Sequence, residues 1–430
     1  MNVDVNIPDL DLATSTMRPD WPWAADPESY WGAIDSAVRD YGDPDGPIAV
    51  LELTALRHNL ADLRARAAGV PIRVASKSLR IRPVIEQILA VDGFAGVLAY
   101  DVAEAHWLAT AGDVADVLVG YPSSSRHAIS RLAADPVAAE RVTLLVDSVA
   151  QLDLIEAARN RSVLPGAARP LRIAIDLDAS YKAPLLGHVG VRRSPIRTVT
   201  DAVDLAVEIV NRSGMSLVGL MSYEAQVAGV GNEIVGKPLR NNLICDIQRR
   251  SMEELVGRRG EVVAAIRQIT DLEFVNAGGT GSIEVTAADL SVTDIAAGSG
   301  FFGGHLFDSY SHFKPAPAMA FGLSVVRIPT RSMVTCLGGG WVASGSPGHD
   351  RLPLPIWPPG LSYLPREAAG EVQTPLRGKS AQTLSVGDRV WLRHTKSGEL
   401  SEHVNTVLVV DHGVVIGELP TYRGEGKSFL

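Results

Sequence analysis

Cysteine is almost missing from this chain: 430 residues contain two, Cys245 and Cys336. They form neither a metal-type spacing nor a disulfide framework, which points to a reducing cytoplasm. No apolar run approaches the roughly 20 residues needed to cross a bilayer, so no membrane partner is expected. No block of Lys or Arg stands out against a net charge of -9, which leaves nucleic acid without an electrostatic footprint. The N-terminal stretch MNVDVNIPDLDLATSTMRP has acidic residues where a secretory leader has a basic and then an apolar segment. Export by that route is not expected. Repeats and low-complexity tracts are lacking as well. What is there is 46% apolar and 21% charged residues, enough for a large core. The length suits one large domain with a smaller one.

Residues 1–46 are rich in Pro, Asp and Trp and are expected to form an N-terminal arm. One short helix is predicted around residues 30–41, and Trp21, Trp23 and Trp31 are expected to pack on the body. Beyond residue 48 a helical pattern over 54–67 precedes a series of short β-branched runs. These are IRVASK (72–77), FAGVLAY (94–100), DVLVGY (116–121), VTLLVD (142–147), LRIAIDLD (171–178), MSLVGLMSY (215–223), LEFVNAGG (272–279) and TDIAAGSG (293–300). Helical patterns separate them. Short apolar runs bounded by turn residues suit buried parallel strands, and alternation with helices predicts an α/β fold. Eight such runs predict a (β/α)8, TIM-type barrel over residues 47–315. The doubly wound sheet lacks its G-x-G-x-x-G fingerprint after the first strand. From about residue 316 helical periodicity fades, and 316–430 is expected to be a mainly β domain. Its proline-rich stretch 346–370 reads as a loop or linker.

A barrel of this kind carries its active site at the C-terminal ends of the strands. The first run ends in Lys77. A lysine there is expected in a desolvated mouth, where burial lowers its pKa and frees the amine as a nucleophile. An ion-paired lysine at the mouth is the equal alternative. The seventh run ends in Asn276-Ala277-Gly278-Gly279-Thr280-Gly281-Ser282 and the eighth in Gly298-Ser299-Gly300. Phosphate sites in barrels commonly use the loops after strands seven and eight, and glycine turns let N–H groups converge on an anion. A strand-end lysine facing a phosphate cradle suggests pyridoxal phosphate.

The motifs VASKS, GLMSYEAQ, NAGGTGS, TDIAAGSGFF and VGDRVWLRH, in this order, give the chain a resemblance to the fold-type III pyridoxal-phosphate enzymes, the alanine racemase-like barrels. Within them it looks closest to the D-threonine aldolase and D-serine dehydratase branch. The resemblance implies a barrel with a β domain, assembled as a homodimer. It implies that Lys77 is the Schiff-base lysine, and that Gly279, Thr280, Gly281, Gly298, Ser299 and Gly300 hold the phosphate. Tyr223 matches a tyrosine beside the cofactor ring. Either Lys182 or Arg192 matches an arginine on the cofactor's phenolic oxygen. The branch also carries a metal pair, a His followed two residues later by Cys or Asp. Here those places hold His394 and Lys396, and a lysine must lose a proton before it can ligate. Glu399, Glu402, His403 and Asn405 are the nearby donors, so a divalent metal on His394 and His403 is an open expectation that Lys396 weakens. Without metal, Lys396 or His394 would carry the proton chemistry of the substrate hydroxyl.

The expected activity is a cytoplasmic lyase of a small, D-configured 3-hydroxy amino acid. It would act by retro-aldol cleavage or by dehydration with deamination. The alternatives are a racemase or epimerase using Lys77 and Tyr422, a non-catalytic pyridoxal-phosphate binder, and a barrel for another phosphorylated ligand. Trp341 is a candidate for closing the site. His106, His188, His305 and His312 have no assigned role, and Cys336 is expected to be buried and inert.

Overall fold

The computed structural model describes residues 7–17, 21–161, 169–184, 186–346 and 348–430. Parts of the N-terminal stretch whose acidic residues argue against a leader, residues 1–6 and 18–19, lie outside the described residues. So does position 347 of the predicted loop.

Eight parallel strands close into a barrel, one from each of the eight runs: Ile72–Ala75, Phe94–Ala99, Val117–Val119, Val142–Val146, Leu171–Asp176, Met215–Ser222, Phe274–Ala277 and Asp294–Ala297. The last pairs with the first, Ile295 opposite Ile72, and completes the ring. Val117–Val119 and Val142–Val146 are buried at every position, as strands covered by helices outside and side chains inside must be. Leu118, Leu145, Ala174, Val218, Met221 and Phe274 fill the interior. Gly219 is required there, since a Cβ on it would lie 2.3 Å from the Phe274 ring. Outer helices start on side-chain caps that satisfy their free N–H groups. Asp101 accepts from Ala103 and Glu104, and Thr198 forms a capping box with Asp201. At the strand starts Arg73 pairs with Asp116 (2.8 Å) and Asp294 (3.2 Å) and plugs the end opposite the site.

The second body is a nine-stranded, mainly antiparallel sheet. It departs from the expected boundary at residue 47. Ile48–Glu52 is not barrel: it pairs antiparallel with Met319–Thr330 and parallel with Thr406–Asp411. The chain thus begins in the β sheet, builds the barrel and returns. The stretch 346–370 is more than a loop, because Leu354–Trp357 and Ser362–Tyr363 pair onto the sheet.

The arm helix runs Pro27–Asp40, capped by Asp26 with Pro at its first position. Trp31 stacks on Trp391 with centroids 6.4 Å apart. Asp35, 3% exposed, accepts from Arg389 Nε (2.9 Å), Trp391 Nε1 (3.0 Å) and Arg39 Nε (2.8 Å). Replacing it strips buried donors of their partner. Asp35→Ala is expected to lower unfolding free energy by about 2–3 kcal/mol. The exposed Asp40→Ala should stay within about 0.5 kcal/mol. Urea denaturation of both variants measures the difference.

Candidate active site

Lys77 leaves the first barrel strand in a short 3-10 turn, Ser76–Ser78. It lines a cavity of about 670 Å³ at the C-terminal ends of the strands. The lysine is exposed to this cavity, not desolvated as expected. It forms no ion pair among the described residues. Its Nζ donates to Tyr121 Oη at 2.8 Å and lies 5.4 Å from that ring's centroid.

Gly278, Gly279 and Thr280 of one turn and Gly298 and Ser299 of the other face the same cavity. Both turns need glycine because a Cβ has no room. One on Gly279 would lie 3.0 Å from the Tyr223 ring, and one on Gly298 2.7 Å from Ser78 Oγ. The backbone is therefore bare where it borders the cavity. Gly281 and Gly300 do not line it; they let Ala228 and Thr280 pack close. The first turn is held from beneath by Glu224, which is fully buried. Its carboxylate accepts from Gly278 N (3.2 Å), Ser282 Oγ (3.2 Å) and Thr286 Oγ1. Arg259 lies 3.7 Å from it and pairs with Asp289 at 2.9 Å. Beside this turn, Ser78 Oγ and Ser299 Oγ are 3.2 Å apart.

Tyr223 borders the cavity, and burial pushes its phenol up to about 12. The cation beside it is neither Lys182 nor Arg192. Lys182 sits exposed on the hairpin Tyr181–Ala183/Gly187–Val189, and Arg192 is exposed outside the cavity. Arg193 takes the place, 5.3 Å from the Tyr223 ring and 5.6 Å from the Tyr121 ring. Next to it, Ser194 Oγ donates to Asp176 O at 2.6 Å and ties this loop to the end of a barrel strand. Burial, reinforced by Asp147, pushes the Asp176 carboxyl up to about 7.

The fourth wall comes from the β domain, and here the proton and metal expectations change. His394 is buried and does not line the cavity. Its Nδ1 bonds Met319 O at 3.0 Å, and its Nε2 meets Ser397 Oγ at 3.2 Å. Burial and the Arg393 charge push its imidazolium down to about 3, so the ring stays neutral. His403 stacks on Trp341, centroids 4.8 Å apart. No group of three or more His, Cys, Asp or Glu that could hold a metal converges among the described residues. With both His394 nitrogens engaged and Lys396 at the second place, these donors do not fit the metal pair. Lys396 does reach the cavity, its Nζ donating to Ser344 O at 2.9 Å. Glu399 faces the same space and accepts from Lys396 N at 2.8 Å, and burial pushes its carboxyl up to about 7.

Tyr422, the second base of the racemase alternative, is buried outside the cavity and donates to Glu104 at 2.9 Å. His106 meets Asp135 at 3.1 Å, and His188, His305 and His312 do not line the cavity. Cys336 is buried, which pushes its thiol up to about 12. Sequence reasoning missed Arg193, Tyr121 and Ser78. Tyr121 closes a strand run as Lys77 does, and Ser78 ends the VASKS motif, so both left a signal.

The β-domain wall is seated by Gly398, whose φ is +112°; a Cβ there would lie 2.4 Å from Lys77 O. Gly387, φ +97°, has nothing within 4 Å of its Cβ position. Gly387→Ala is expected to cost about 1 kcal/mol from backbone strain, and Gly398→Ala about 2–4 kcal/mol because overpacking adds to it. Equal losses in urea unfolding would show that the wall does not press on Lys77.

The chain is similar to a 3-hydroxy-D-aspartate aldolase of Paracoccus denitrificans, 26% identical over 246 residues. That match covers 56% of this chain and 56% of that protein, so it spans about half the length of the curated relative. A D-threonine aldolase from Filomicrobium marinum shares the fold, with TM-score 0.72 at 20% identity over 88% of this chain and 95% of that one. So does a D-threo-3-hydroxyaspartate dehydratase from Delftia sp. HT23, with TM-score 0.69 at 16% identity over 88% and 97%. With residues 51–305 matching the model of the alanine racemase N-terminal domain, the chain belongs to that family.

Proposed function

We propose that the protein is a pyridoxal-phosphate-dependent lyase of small, D-configured 3-hydroxy amino acids. One observation carries this reading: the Lys77 amine, the bare glycine turns and the Arg193–Tyr223 pair all face a single cavity. These groups fit the cofactor. Lys77 would take its aldehyde, and Thr280, Ser299 and Ser78 its phosphate. Arg193 would face its phenolic oxygen. Bound there, pyridoxal phosphate condenses with amines and accepts the electron pair released at the substrate's α-carbon. The 3-hydroxy class is supported by the name of the Paracoccus denitrificans relative.

Two proton movements decide the outcome. Removal of the 3-hydroxyl proton leads to glycine and an aldehyde. Removal of the α-proton with loss of hydroxide gives an enamine, which a water molecule hydrolyses to a 2-oxo acid and ammonia. We assign the 3-hydroxyl proton to Glu399, a cavity carboxylate that is about half ionised near neutrality. His394 is excluded from this role by its burial. We extend the reading to a cytoplasmic homodimer, on the scarcity of cysteine and the resemblance to dimeric barrels. No helix among the described residues is long and apolar enough to cross a membrane.

Incubation with D-threonine and D-serine, with glycine, aldehyde and ammonia measured, tests the activity. No product from any small 3-hydroxy amino acid would overturn it. A base must be ionised, so aldol cleavage is expected to rise with pH through about 7. Glu399→Gln should flatten that rise and slow the reaction about 10²-fold or more. Arg193→Met is expected to weaken pyridoxal-phosphate binding about tenfold in a spectroscopic titration, more than Arg192→Met or Lys182→Met.

A further inference from the structure

Lys396 is a cavity cation that these roles leave unused. The others are occupied. On the lyase reading Lys77 would hold the cofactor; Arg193 lies over two tyrosine rings, and Arg80 donates to Lys77 O at 3.0 Å and pairs with Glu402. Lys396 is half-buried. Its Nζ gives one hydrogen bond, to the uncharged Ser344 carbonyl at 2.9 Å, and makes no ion pair among the described residues. The nearby Glu399 carboxylate bonds the Lys396 backbone N–H instead of its ammonium.

Charges of both signs surround it. Arg351 packs behind the turn at Ser344, its Cζ 3.5 Å from the Cβ position of Gly345. Its Nε and Nη1 are buried without hydrogen-bond partners, and its carboxylate neighbour Asp350 stands 3.5 Å away. The Arg351 and Lys77 charges act on Lys396 and are offset in part by the Glu399 and Asp350 carboxylates. Two residues on, Gly398 packs against Lys77 O, which sets Lys396 near the strand-end lysine in the same cavity. A partly desolvated cation with two unused donors is costly until an anion meets it.

We propose that Lys396 is a specificity-determining residue whose ammonium recognises a carboxylate on the substrate's β-carbon. The preferred substrates are then 3-hydroxy dicarboxylic amino acids, ahead of those with a neutral β-substituent. This rests on the lyase reading.

The test uses cofactor-loaded protein and two amino acids without a 3-hydroxyl, D-aspartate and D-alanine, so that binding is read without turnover. Binding is followed by calorimetry and by the cofactor's absorbance. The wild type is expected to bind D-aspartate at least about tenfold more tightly. In Lys396→Met the preference should collapse to within about threefold, and Lys396→Arg should keep most of it. The kcat/KM ratio for 3-hydroxy-D-aspartate over D-threonine should fall in parallel. Equal wild-type binding overturns the proposal. So does a Lys396→Met variant that weakens both ligands alike, which would place Lys396 on the α-carboxylate. Borohydride reduction and peptide mapping separate the two claims. Pyridoxyl on Lys77 with equal binding sinks this inference alone, and no label on Lys77 sinks the lyase reading with it.

Discussion

The cavity depends on one contact between two bodies: the β-domain loop around Gly398 pressed against the backbone of Lys77. Only a residue without Cβ can approach the Lys77 carbonyl so closely. Arg80 reinforces the seam by donating to that same carbonyl while pairing with Glu402 of the loop. Arg80 itself sits at φ +53°, a strained conformation that persists where the surroundings over-determine it. The contact places Lys396, Glu399 and His403 opposite the strand ends. Without it the barrel would keep its strand-end lysine and glycine turns but lose its proton-bearing wall.

Buried polar groups then hold the rest rigid. Glu224 binds three donors of the first glycine turn and is backed by Arg259 and Asp289, so the turn cannot sag into the barrel. Glu104, buried, accepts from Tyr100 N at 2.7 Å and from Tyr422 Oη, and ties the C-terminal segment to the barrel beside Lys77. Arg393, also buried, donates to Gly303 O at 2.7 Å and pairs with Asp308 at 3.0 Å. Each of these links joins one element to another distant in the chain. Buried groups of this kind are costly when unpaired, which makes the paired arrangement specific.

The same logic explains how the site's chemistry divides. His394 lies three residues before a cavity residue, Ser397, yet burial removes it from acid–base work. Burial pushes the Glu399 carboxyl up to about 7, against the pull of the backbone N–H groups and cations beside it.

Local pattern was enough for the barrel. Eight apolar runs ending in turn residues became eight strands, because burial on both faces demands uninterrupted apolar side chains. Strand polarity then put Lys77 and the two glycine turns at one end of the barrel. The sequence alone could not show that Ile48–Glu52 belongs to the other sheet, since its partners are strands hundreds of residues away. It pointed to Lys182 or Arg192, where the structure puts Lys182 on a two-strand hairpin and brings Arg193 to the cavity. It left His394 as a ligand or acid, where packing under Met319 made it a neutral structural ring. Periodicity and turn chemistry are local and therefore written in order along the chain. Side-chain direction, burial and ionisation arise from neighbours that only folding brings together.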